Sequence, residues 1–261
     1  MNRLAAMSME DSSPYTATQH SFGQTSVTIR AIKKRDYYGT NVDLTGHSSW
    51  FAATLFSQFA CGEQRAVALF GGGRSILELG AGAGLAGCAL AKCLQLLNQP
   101  SGAIVLTDGE EQVVDLLRSN VEQNNLSESV SCQQLWWGPS PALNELKQRT
   151  PEGFSVIFGC DLLYNQLQLK CGTVASLFLV VDELLSRTGR FYLSFTRRDL
   201  DVAAVLEAGR ARGLVAELQE DFVYDLFGSN TEGVTDLWRD AVYSFRRERE
   251  EREEREEKNE K

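Results

Sequence analysis

The stretch Ile76-Leu77-Glu78-Leu79-Gly80-Ala81-Gly82-Ala83-Gly84 decides how the whole chain is read. A short apolar strand runs into alternating glycines, and residues 85–97 then carry the apolar spacing of a helix that stops before Pro100. Glycines between a strand end and a helix start let the backbone approach a ligand closely where a parallel sheet opens, so a nucleotide-like ligand is expected here. The literal match Gly82-x-Gly84-x-x-Gly87, with Asp108 following 21 residues after Gly87, keeps an NAD-binding oxidoreductase in view. Against that stand Glu78, an acid within the strand, and a turn that opens at Gly80 rather than Gly82.

Outward from this turn the pattern repeats. Residues 103–107, 129–135, 154–160, 190–196, 214–223 and 241–245 read as strands, and 110–124, 166–185 and 200–211 as helices. Strands alternating with helices give an α/β fold: a doubly wound, mostly parallel seven-stranded sheet, closed at one edge by an antiparallel hairpin because no long helix separates the last two strands. Before the core, residues 26–32 alternate like a half-buried strand and 47–60 approach helical spacing, a small N-terminal β extension. The expected organisation is a flexible leader at 1–20, a single domain at 21–245 (extension 21–60, core 61–245), and a charged helical tail at 246–261 whose Glu residues precede Arg or Lys by four.

Composition narrows the class. The 261 residues are 43% hydrophobic and 23% charged with only five Pro, which excludes a disordered or fibrous chain and suits one α/β domain. No apolar run approaches the roughly 18 residues of a membrane span, and the polar N-terminus does not resemble a signal peptide. Six Cys without a C-x-x-C, and only two His, give no metal-ligand spacing, so no metal is expected and the thiols read as free and buried in a reducing compartment. A soluble, monomeric, cytoplasmic protein is expected, with nuclear entry left open. The tail holds seven basic and eight acidic residues, so nearly all of the net charge of −9 lies in the body. That disfavours nucleic acid as an obligatory partner and suits a cationic substrate.

The glycine turn with Glu78 resembles the first motif of class I S-adenosylmethionine-dependent methyltransferases, and three further segments sharpen the likeness. Thr45-Gly46-His47-Ser48-Ser49-Trp50-Phe51-Ala52-Ala53, Leu135-Trp136-Trp137-Gly138 and Gly159-Cys160-Asp161-Leu162-Leu163-Tyr164 are similar, in order and at successive strand ends, to the Trp-bearing segment, Trp-Gly turn and Asp-x-x-Tyr motif of the family-16 protein-lysine methyltransferases. Together they cover about residues 26–245. The resemblance implies a Rossmann-like methyltransferase that binds S-adenosylmethionine (SAM), releases S-adenosylhomocysteine (SAH), and methylates a lysine of a protein substrate. Another acceptor, a protein His or Arg or a small molecule, is the alternative. It also implies that Trp50, Glu78, Gly80, Ala81, Gly82, Asp108, Trp137 and Cys160 surround the cofactor, with Asp108 on the ribose hydroxyls and Trp137 near the adenine. Asp161 would orient the substrate amine and Tyr164 would wall its channel. Ser155 and Cys160 depart from the family pattern, and residues 144–153 and 224–239, expected to face the substrate, match nothing.

Overall fold

The structure is a computed structural model that describes residues 14–32, 45–100, 102–163, 171–196, 201–219, 224–225 and 239–248. Strands β3 (Ile76–Leu79), β4 (Ile104–Asp108), β5 (Val130–Gln134), β6 (Phe154–Cys160) and β7 (Leu185–Thr196) are parallel, and β8 (Leu214–Leu218) completes the edge. The spatial order is β5-β4-β3-β6-β7-β10-β8. The last strand, β10 (Arg239–Arg247), inserts between β7 and β8 antiparallel to both, so the edge hairpin has its later strand inside. The two-residue strand β9 (Tyr224–Asp225) pairs with β10 as well.

Both faces of the sheet are covered, as parallel strands require. Alternation along each strand splits the core in two. Ile76, Ile104, Leu106, Val156 and Phe158 face a cluster built with α1 (Phe51–Ala60) and α2 (Leu85–Leu96) and the N-terminal strands. Leu77, Leu79, Val105, Ile157 and Phe191 face the other, with α4 (Pro141–Arg149), α5 (Thr173–Leu184) and α6 (Val202–Arg210). Between them in sequence, α3 (Glu111–Gln123) buries Val113, Val114, Leu117 and Val121.

The order in which strands are laid down reverses at β3. From there α2 leads to β4 on one side, while the chain later returns to place β6 on the other, which opens a crevice above the carboxyl end of β3. The glycine turn sits at this point. Gly80, Gly82 and Gly84 all have positive φ (59°, 55° and 85°), a backbone region that side chains resist. Gly87 has a different reason to lack a side chain: a Cβ there would run into the Glu78 carboxyl and Leu106, so the glycine lets α2 lie close on the sheet.

Several expectations need correction. Residues 15–20, read as part of a leader, belong to strand β1 (Tyr15–Phe22), which pairs antiparallel with β2 (Thr25–Ile32) in a separate two-stranded sheet. Its mostly polar sequence hides this because one face of the ribbon is solvated. Arg246 and Arg247 belong to β10 rather than to a helical tail, and Arg247 pairs with Asp182 at 2.7 Å. The remainder of the tail, 249–261, lies outside the described residues, as do 1–13. Residues 144–149 complete helix α4, whose N-cap Ser140 accepts a bond from the Leu143 N–H at 3.2 Å. This helix leads to Phe154, the amino end of β6, about 20 Å along the strand from the crevice. The stretch 144–153 therefore does not face the substrate side. Ser155 lies at that same far end, bonded through its N–H to Ser75 Oγ at 3.0 Å, so this departure from the family pattern does not touch the pocket.

Candidate active site

A cavity of about 450 Å³ opens above the carboxyl ends of β3, β4 and β6. Its floor is the glycine turn, held by its own backbone. The Ala81 N–H donates to the Thr107 carbonyl (2.8 Å), the Gly84 N–H to the Ala81 carbonyl (2.9 Å), and the Gly82 N–H to Asp108 Oδ2 (2.9 Å). Asp108 also accepts the Glu110 N–H at 3.3 Å. Burial lifts the Asp108 carboxyl above the usual carboxylate range, opposed by these N–H groups, that of Gly109, and nearby His47.

Over this floor lies the segment 45–50. Gly46 packs on Val113, and its carbonyl stands 3.0 Å from where a Cβ on Gly82 would be, so both glycines permit the contact. Trp50 caps α1 without a side-chain bond to the helix and donates its Nε1–H to the Thr45 carbonyl at 3.0 Å. Further along, the Ala52 carbonyl accepts from Ser194 Oγ on β7 (3.0 Å), and Phe56 stacks on Phe158 of β6 with ring centres 4.5 Å apart. These contacts pin the start of α1 across the cavity mouth.

The remaining walls come from strand ends. Trp137 approaches the Gly80 position within 3.5 Å, whereas exposed Trp136 lies against Gly109, the residue after Asp108. Cys160 lines the cavity, and burial with the carboxyls of Glu78 and Asp161 holds its thiol well above the ordinary range. Asp161 is buried and adopts a left-handed backbone (φ 56°), which Asp tolerates better than most residues. Its N–H donates to the Ser194 carbonyl (2.7 Å) and its Oδ1 accepts the Thr196 N–H (3.4 Å). Glu78 is wholly buried beneath the turn. Burial pushes its pKa well above the carboxylate range, and Oε2 has no hydrogen-bond partner.

The cavity thus brings together Trp50, Glu78, Gly80, Ala81, Gly82, Asp108, Trp137, Cys160 and Asp161. Tyr164 lies outside the described residues, as does most of 224–239. Among the described lining residues four are acidic, Glu78, Asp108, Glu110 and Asp161, and none is Lys, Arg or His. No group of three or more His, Cys, Asp or Glu among the described residues is arranged to hold a metal, and no described helix is long and apolar enough to cross a membrane.

Sequence reasoning missed Ser48 and Ser49, both in the lining with buried hydroxyls that have no partner. It also missed Asn120 and Asn124, which carry the N-terminal ribbon. Asn120 is fully buried: its Oδ1 accepts the Arg30 N–H (2.9 Å), and its Nδ2 donates to the carbonyls of Arg30 (3.0 Å) and Ala83 (2.8 Å). Asn124 binds both backbone groups of Thr28, each at 2.8 Å. Two amides four residues apart on the apolar side of α3 were the visible signal. The serines gave none.

A nucleoside cofactor with a cationic centre fits these residues: a carboxylate beside the turn, unsatisfied buried polar atoms in the lining, and acidic walls. Solved structures that share the fold include SAM-dependent methyltransferases. One from Agrobacterium tumefaciens is 11% identical with a TM-score of 0.52, covering 88% of this chain and 70% of its own. SMU.776, described as a methyltransferase and solved with SAH, is 12% identical with a TM-score of 0.58, covering 88% and 56%. At these identities the likeness is one of fold.

The chain belongs to the lysine methyltransferase family, whose profile matches residues 39–208. It is 30% identical over 204 residues to the protein-lysine N-methyltransferase EEF2KMT of Homo sapiens, covering 71% of this chain and 55% of that protein. It is 34% identical over 95 residues to calmodulin-lysine N-methyltransferase of Arabidopsis thaliana, covering 35% and 28%. The chain therefore spans about half, or less, of the length of these curated relatives.

Proposed function

We propose that this protein transfers a methyl group from SAM to the side-chain amine of a lysine in a protein substrate. The observation that carries the reading is the acidic lining, without a cation among the described residues, of a cavity seated on the glycine turn beside Asp108. A pyrophosphate ligand such as NAD would meet the carboxyls of Asp108, Glu110 and Asp161 there, whereas a sulfonium and an amine suit them.

Asp108 would accept the ribose hydroxyls, and the Gly80–Gly82 backbone would leave room for the cofactor's amino-acid arm. Trp50 and Trp137 would pack along it, with Glu78 below. When bound, SAM supplies a methyl group on a positively charged sulfur, ready for displacement by a neutral amine. The protein's part is alignment and exclusion of water.

A lysine with a free pKa near 10.4 must lose its proton, which costs roughly 4–5 kcal/mol at pH 7. An ionised Asp161 stabilises the ammonium, so its role is to capture and orient the amine. Burial of the amine in this site would lower the cost of losing the proton, which would pass to water. Tyr164 would wall the channel. The reading takes the protein as a cytoplasmic monomer, checked by cell fractionation and light scattering.

Calorimetric titration of the purified protein with SAH and, separately, NAD tests the cofactor assignment. Binding of SAH alone is expected. Binding of NAD alone would make Gly82, Gly84 and Gly87 a dinucleotide loop and end the methyltransferase reading.

A further inference from the structure

The walls that suit a cation pose a problem for the other end of the same cofactor. SAM and SAH carry a carboxylate on their amino-acid arm, and the described lining offers no Lys, Arg or His to receive it. The glycine turn contributes little, because the N–H groups of Ala81, Gly82 and Gly84 already donate to Thr107, Asp108 and Ala81. Among the described residues, the receiver is a neutral donor elsewhere in the wall.

Ser48 and Ser49 meet that requirement. Ser48 is 4% exposed, both residues line the cavity, and neither buried hydroxyl has a partner among the described residues. Leaving a buried hydroxyl unpaired is costly, which points to a ligand atom as its partner. The two serines also stand just before the ten-residue helix α1, whose N-cap Trp50 supplies no side-chain bond to the first turn. The exposed amino end of a helix favours an anion through its free N–H groups and its dipole.

Position agrees with this assignment. Segment 45–52 crosses the mouth from Gly46, against Val113 and Gly82 on the Asp108 side, to Ala52, whose carbonyl takes the Ser194 hydroxyl of β7. The serines lie between these anchors in the chain. With the ribose on Asp108, the amino-acid arm would have them within the same cavity.

We infer that Ser48 and Ser49, together with the amino end of α1, form a receptor for the cofactor's carboxylate that is built from hydroxyls. The inference rests on the methyltransferase reading above and adds a subsite to it.

The test compares SAH with its carboxyl-free analogue, in which the amino-acid arm ends in a primary amine, by calorimetry. Wild type is expected to bind SAH at least about tenfold more tightly than the analogue, since a hydrogen bond to a charged group is lost with the carboxylate. The double variant Ser48→Ala with Ser49→Ala is expected to lose that preference while binding the analogue as wild type does, which also reports that it is folded. Equal binding of SAH and the analogue by wild type overturns the subsite and leaves the methyltransferase reading intact. So does a double variant that keeps the full preference. A wild type that binds neither ligand overturns the reading itself.

Discussion

The two sides of the cavity reach their shape by opposite means. On the β3–β4 side the backbone does the shaping: three glycines at positive φ, and N–H groups of the turn already bonded to Thr107, Asp108 and Ala81. On the β6 side a single acid, Asp161, stands on a left-handed backbone between strand ends, its Oδ1 accepting the Thr196 N–H at 3.4 Å. The first arrangement is rigid before ligand arrives and suits an invariant cofactor. The second leaves recognition to side chains, which suits a substrate that differs between relatives. One side should therefore govern affinity for SAH and the other turnover.

The largest expected effect lies on the Asp161 side. Asp161→Asn keeps an oxygen for the Thr196 N–H, and Asn tolerates the same backbone. Turnover with labelled SAM is expected to fall by about 100-fold or more, with the dissociation constant for SAH unchanged by calorimetry. Unchanged turnover would remove Asp161 from amine capture.

Next comes Asp108→Ala. Loss of a charged acceptor should weaken SAH binding by roughly tenfold to 100-fold, without the separate collapse of turnover at saturating cofactor that marks Asp161. An affinity within twofold of wild type would contradict the ribose assignment.

A smaller and sharper contrast separates Asn120 from Asn124. Each substitution to Ala strands buried backbone groups of β2 and should lower stability by about 2–3 kcal/mol in urea melts. Only Asn120 reaches Ala83 inside the glycine turn. Asn120→Ala is thus expected to weaken SAH severalfold beyond Asn124→Ala, and equal affinities would show that the ribbon does not steady the turn.

The smallest effect is one of pH. The folded-state pKa of Glu78 is raised by burial, so above about pH 4.5 the unfolded chain releases a proton that the folded chain retains. Stability from this group is greatest below that pH and declines as pH rises toward the folded value. Glu78→Gln, which mimics the protonated acid, should show a flatter fall in Tm from pH 5 to 8 than wild type. Parallel profiles would mean that Glu78 is ionised in the free protein.

The same contrast explains what the sequence could disclose. The unit from Ile76 to Asp108 was legible because strand period, turn glycines and a terminal acid all follow from backbone requirements, whereas Trp50, Trp137 and Cys160 came only from the family resemblance. Strand β1 was hidden by its solvated face. Helix α4 was missed: its marks, Ser140, Pro141, Leu143 and Leu146, are weaker than the strand pattern on either side. The unsatisfied hydroxyls of Ser48 and Ser49 are a property of packing, and no local pattern marks them.

The central claim is methyl transfer to a protein lysine. The most direct measurement incubates the purified protein with methyl-labelled SAM and cell lysate, then hydrolyses the labelled protein bands and identifies the amino acid carrying the methyl group. The account predicts methyl-lysine, absent with Asp161→Asn. Label confined to methyl-histidine, methyl-arginine or the low-mass fraction would contradict it.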